Sequence, residues 1–167
     1  MDEAVAGRRK PATFNGSLEA GLRAVAVLGA ATPRSFDLQR LVAFDYLLVH
    51  TGDIDGPPSL HPPTPLQSAE LLVRRKLVQG ALLLMMTREL VAREFGEDGI
   101  RFRAGENAVP FLSSLDSEYL QALKARAAWL VDTLGDHSEQ ELRKVMRRFF
   151  DSWVEEFQAA ELSLGAE

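Results

Sequence analysis

The sequence predicts a mainly α-helical fold: a winged helix-turn-helix with a small β-hairpin wing and a two-helix C-terminal extension. Three observations carry this expectation. Apolar residues recur at helical spacing over most of the chain, one segment alone switches to period two around an Asp-Gly pair, and one short and two longer helical patterns follow it. A chain of 167 residues is one domain by length and buries about 70% of its unfolded surface without a staple. It has no cysteine, which removes thiol nucleophiles and thiolate zinc sites.

Residues 1–13 carry Arg8, Arg9 and Lys10 without an apolar segment of signal-peptide length, and read as a disordered arm. Ser17 is then expected to cap a helix reaching about Ala31, with Leu18, Leu22, Val25 and Leu28 on one face and Pro33 closing it. Ser35 is expected to cap a second helix ending near Thr51. There Leu38, Leu41, Val42, Phe44 and Leu48 are too many for one stripe, which predicts a largely buried element.

Five prolines between Gly52 and Pro65 preclude a helix or central strand, so residues 52–65 form a loop, and one of this length is ordered or functional. Ser68 restarts helix, and Gly80 allows either two helices or one bent helix as far as Met86. Leu90–Phe95 and Ile100–Ala104 flank Gly96-Glu97-Asp98-Gly99, where the Asp-Gly pair supplies the positive dihedrals of a tight hairpin. A winged helix usually places a left-handed glycine just before the Leu-Val that leaves its last helix, and here Glu89 occupies that position.

Glu106–Leu115 is a short helix with Pro110 in its first turn or at a kink. Ser117 caps a long helix whose apolar set is Leu120, Leu123, Ala127, Leu130 and Leu134, and Gly135 stops it. Ser138 with Glu141 forms a capping box for the last helix, whose body continues through Leu142, Val145, Met146, Phe149, Trp153 and Phe157. The two long helices are expected to pair as an antiparallel hairpin. The organisation read from this is a winged-helix domain at 14–115, a helical hairpin at 116–158 and a flexible tail at 159–167.

The charge balance of 19 basic against 24 acidic residues, −5 net, argues against a free-standing nucleic-acid binder. The longest apolar run, Ala81–Met86, is far too short for a membrane span, which predicts a soluble, cytoplasmic protein without membrane contact. Gly80–Met86, in the recognition position, has no Arg, Lys, Asn or Gln to read a base edge. Arg74, Arg75 and Lys76 before it, and Arg101 with Arg103 on one face of the wing, remain as phosphate contacts. His50, Asp53, Asp55 and His61 are residue types that bind divalent ions, but at no recognised ligand spacing, and turn chemistry accounts for the aspartates. No metal or cofactor is therefore expected. With no Gly-x-Ser-x-Gly, phosphate-binding loop or His-Glu-x-x-His, no catalytic residue is assigned. The proline-rich loop is instead read as a partner-facing surface carried by His50, Asp53, Asp55, Leu60 and His61, since prolines lower the entropy lost on ordering it. Phe149, Phe150, Trp153 and Phe157 offer a second apolar surface, which would favour self-association of the free chain.

Four segments together carry a family likeness: Phe14–Arg23, Leu38–Asp53 with its Asp-Tyr-Leu-Leu-Val-His-Thr-Gly-Asp stretch, Ser59-Leu60-His61-Pro62, and Glu70–Arg75. From about Phe14 to Phe157 the chain resembles the middle components of bacterial three-component ABC-ATPase conflict systems. The resemblance implies a small, non-catalytic subunit that links an SMC-like or Rad50-like ABC ATPase to an effector, as in Lamassu-type anti-phage operons. It transfers no catalytic residue. The rival reading, from element order alone, is a winged-helix DNA-binding transcriptional regulator.

Overall fold

In the computed structural model, which describes residues 16–62 and 68–149, the chain is laid around its first helix. Helix α1 (Ser17–Ala31) is followed by α2 (Leu38–Leu47), a 3-10 turn (Thr51–Ile54), α3 (Ser68–Thr87), strands β1 (Val91–Gly96) and β2 (Gly99–Ala104), and helices α4 (Ala108–Ser113), α5 (Glu118–Leu134) and α6 (Glu139–Arg147). The molecule is mainly helical with one two-stranded antiparallel hairpin, as the periodicities predicted. The expected arm at 1–13, the tail at 159–167 and Phe150, Trp153 and Phe157 lie outside the described residues. No helix among the described residues is long and apolar enough to cross a membrane.

Helix α1 touches α2, α3, α4, α5 and β2. Its stripe was expected to be Leu18, Leu22, Val25 and Leu28, yet Leu18 is exposed and Ala20, Ala24, Ala26, Val27 and Ala31 are buried with Val25 and Leu28. Small alanines let neighbours approach from several sides, so the helix is enclosed rather than one-faced. Its N-cap is Gly16, not Ser17, which is already helical and makes no capping bond. The cap of α2 is likewise Asp37, whose Oδ1 accepts from the Arg40 amide at 2.8 Å, while Ser35 is engaged elsewhere. From Leu41 through Leu47 every residue of α2 is buried, as expected of an element with too many apolar residues for one stripe.

Helix α3 runs unbroken through Gly80. It ends where Glu89 takes φ 58°, the left-handed conformation usually given to glycine. The Leu90 amide donates to the Met85 carbonyl (3.0 Å) and the Glu89 amide to that of Met86 (3.1 Å), a Schellman closure with buried Met85 and Leu90 in its apolar contact. Gly105 packs against the same turn, where a Cβ would lie 2.2 Å from the Glu89 carbonyl oxygen. A side chain in the left-handed region costs about 1 kcal/mol. Glu89→Gly is therefore expected to stabilise the chain by about that amount in urea denaturation, with Glu89→Ala giving no such gain. Equal stabilities for the Gly and Ala variants would show that the turn is not strained.

The hairpin pairs Val91 with Ala104 through Gly96 with Gly99. Of its Asp-Gly pair only Gly99 takes positive φ, at 102°. Phe36, between α1 and α2, bridges antiparallel to Phe102 and adds a single-residue third strand to β2. Ser117 and Ser138 cap α5 and α6 as predicted, accepting from the Leu120 and Glu141 amides. The second half of the helix expected to pair with α5 lies outside the described residues; within them α5 lies along α1, placing Leu123, Ala127, Leu130 and Leu134 in the same core as Val25, Leu28 and Phe44, with Leu142 and Met146 of α6 joining it. Phe149, just beyond α6, reaches Tyr46 of α2, with ring centroids 5.5 Å apart.

Candidate functional site

The basic residues read as phosphate contacts do not form one surface. Arg74 is drawn inward by Asp45, a carboxylate 4% exposed on α2 that also accepts from Arg23 Nε at 2.7 Å. The Arg74 guanidinium lies 5.4 Å above the Tyr46 ring. Arg75 is buried, and Lys76 alone of the three faces solvent. Arg101 and Arg103 share a hairpin face as expected. Arg101, however, donates to both the Oγ and the carbonyl of Ser35, and Arg103 pairs with Glu94. Ion pairing and burial thus claim most of this charge for the fold, leaving Lys76 and a paired Arg103 as the exposed cations among the five.

The proline-rich loop is ordered where it is described, and its segment 51–62 is stitched at both ends. Thr51 Oγ1 donates to the Pro57 carbonyl (2.8 Å), the Gly52 amide to Ser59 Oγ (3.0 Å), and the amides of Leu60 and His61 both to the Val49 carbonyl (3.1 Å). Arg126 of α5 clasps the Pro58 carbonyl from Nε and Nη2. A Cβ on Gly56 would meet the Trp129 ring at 2.5 Å, so glycine permits the close approach to α5. Among the predicted partner-facing residues, Asp53 and Asp55 are exposed, the latter left-handed at φ 62°. Leu60 and His61 are half-buried. His50 is corrected to an interior residue, stacked on Tyr46 at 4.4 Å.

Burial lowers the pKa of His50 and of His61, and raises that of Tyr119. The bond between His61 Nε2 and the Tyr119 hydroxyl (2.9 Å) accordingly joins two neutral groups at neutral pH. The two imidazoles stand edge to face with centroids 6.4 Å apart, and Asp53 and Asp55 are exposed. Among the described residues no three His, Asp or Glu side chains gather as a metal site.

The surface that sequence reasoning missed lies on α3 and the hairpin. Leu72, Val73, Lys76, Gly80, Leu83 and Leu84 are all exposed and recur at helical spacing, so α3 turns an apolar face outward as well as inward. Beside it, Phe95 (75% exposed) and Ile100 (46%) are a cross-strand pair on the hairpin. A groove of about 290 Å³ runs between them, floored by Leu82 and Phe102 and walled by Leu83, Arg93 and Ile100. The signal was present in the sequence: Leu71 to Met86 holds more apolar residues than one buried face can take.

Neither a curated protein nor a solved structure matches the chain. A family model does, that of the ABC-three component (ABC-3C) system Middle Component 2, over residues 13–156. The match covers the described elements from α1 to α6, and the chain belongs to this family of middle components of three-component ABC systems.

Proposed function

We propose that this chain is a non-catalytic, cytoplasmic adaptor that joins an SMC-like or Rad50-like ABC ATPase to an effector in a Lamassu-type anti-phage complex, built on a winged helix. The order α1, Phe36 bridge, α2, α3, β1, β2 supports the winged-helix reading, since the bridge stands where such folds carry their short first strand. One observation carries the adaptor role: the helix that would read bases presents Leu72, Val73, Leu83 and Leu84 to solvent, continued by Phe95 and Ile100. Base-edge readout needs directed polar groups, whereas a contiguous apolar strip is what a protein interface covers.

Co-expression of the chain with the ATPase and effector encoded beside it tests this reading. It is expected to co-purify with one of them in fixed proportion, and alone to give no sequence-selective gel shift at physiological salt. Tight, sequence-dependent DNA binding by the isolated chain with a steep salt slope would instead establish the transcriptional regulator.

A further inference from the structure

Gly80 has no task in the fold of this chain. It is helical and exposed at the centre of the outward face of α3, and a Cβ built on it would meet nothing within 4 Å. Glycine is the least favoured residue in a helix interior after proline, so Ala would serve the isolated chain better. What a missing side chain provides is close approach of another backbone, as small residues do between packed helices. Gly80 lies between Val73 and Leu84 on one flank and Leu72 and Leu83 on the other, so a helix crossing there would have apolar anchors on both sides. The adjoining groove, at about 290 Å³, is at the lower limit for a small-molecule pocket and suits inserted side chains.

The charge around the strip has one sign. Residues 71–88 hold no carboxylate, and since Arg74 is held by Asp45 and Arg75 is buried, Lys76 and Arg88 are the cations this segment exposes, in a chain whose net charge is −5. Lys76 sits within the strip and Arg93 on the groove wall. The acids that follow the strip are turned elsewhere: Glu89 faces Asn107, and Glu94 is on the opposite hairpin face, paired with Arg103.

We propose that the α3 strip receives an amphipathic helix of another subunit of the system, one that carries carboxylates beside its apolar face and crosses α3 at Gly80. This rests on the adaptor reading above and specifies its partner. Apolar anchors fill the groove beside Leu83 and Ile100, and the carboxylates meet Lys76 and Arg93.

The test uses the full chain co-expressed with the ATPase and effector, measuring thermal unfolding of each variant and its affinity for the component it captures. Gly80→Ala is expected to raise the Tm by roughly 2–4 °C. Gly80→Leu is expected to leave the Tm at or above that of the parent while weakening capture at least about tenfold, a split that a structural role for Gly80 would not produce. Lys76→Glu should weaken capture more than Lys76→Gln, and added salt should weaken the parent complex more than the Lys76→Glu complex. If Leu83→Glu abolishes capture but Gly80→Leu and Lys76→Glu leave it intact, the acidic-helix proposal is overturned and the adaptor reading stands. If the parent chain captures neither component, both fall. A parent dimer split by Gly80→Leu would assign the strip to a second copy. Stronger capture by Lys76→Glu would assign it to an acidic segment of this chain, such as residues 150–167 with five carboxylates and no cation. Either result overturns the proposal.

Discussion

Asp45→Asn is expected to lower the free energy of unfolding by about 3–5 kcal/mol, the scale seen when one member of a buried ion pair is removed. Asp45 is 4% exposed and receives Arg23 Nε, itself 3% exposed, on one oxygen and Arg74 on the other. An amide keeps the shape but not the charge, and the buried Arg23 guanidinium then loses the carboxylate that receives its Nε. Arg74, with its side chain 18% exposed, can turn outward and recover hydration, whereas Arg23, 3% exposed, is held in the core. Replacing Arg23 by Met together with Asp45 by Leu removes both charges and should be far milder than Asp45→Asn alone. Urea unfolding of the singles and the double gives the coupling directly. A loss below about 1 kcal/mol for Asp45→Asn would mean that water reaches the pair and that it does not hold α1, α2 and α3 together.

The second large effect is expected at Arg40. Its guanidinium donates to the carbonyls of Leu134, Gly135 (2.9 Å) and His137, the free acceptors at the end of α5 and the turn into α6. It also packs against the rings of Phe36 and Phe44, at 5.7 and 5.9 Å. One cation from α2 thus caps α5 and ties the C-terminal helices to the core, and burial lowers its pKa without neutralising it. Arg40→Met should destabilise the chain by about 2–4 kcal/mol, given charged hydrogen bonds of about 1.5–3 kcal/mol each and partial rehydration of the carbonyls. Arg40→Lys should recover less than half, because one ammonium cannot span three carbonyls in a planar fork. Hydrogen exchange should show the opening centred on the α5–α6 turn. Full recovery by Lys would reduce the interaction to bare charge at a helix end.

Both networks mark the limit of what local pattern reveals. Caps at Ser117 and Ser138, the hairpin and the enclosure of α2 were legible because each depends on residues a few positions apart. Ser35 and Asp37 are both good capping residues two positions apart, and the choice was made by Arg101, which engages Ser35 from the hairpin. Arg74, Arg75 and His50 were read as surface because polar residues usually are. Asp45 lies 22 residues from Arg23 and 29 from Arg74, a separation at which periodicity is silent. One clue was available: a lone carboxylate in a helix apolar on every side must meet a cation somewhere. Of the candidate site, the loop was read as ordered or functional and as partner-facing, and its described part carries Asp53 and Asp55 exposed and Leu60 and His61 half-buried. The α3 strip was passed over because Gly80–Met86 was weighed only as a reader of bases, for the polar side chains it lacks and not for the apolar ones it exposes.

The enclosure of α1 also bears on how the chain is made. Helix α1 is covered by elements that are translated after it, and its partner α5 begins about 90 residues further on. At about 5–20 residues per second, α1 waits roughly 5–20 s before that cover has been translated. Its alanines and valines form a helix without strong charges on most sides, a segment that in the interval has only α2, α3 or a chaperone to shield it. Contacts of such sequence separation slow folding even in a helical protein. Packing of α1 is therefore gated by synthesis of α5, and a nascent chain interrupted before α5 leaves this part of its future core uncovered.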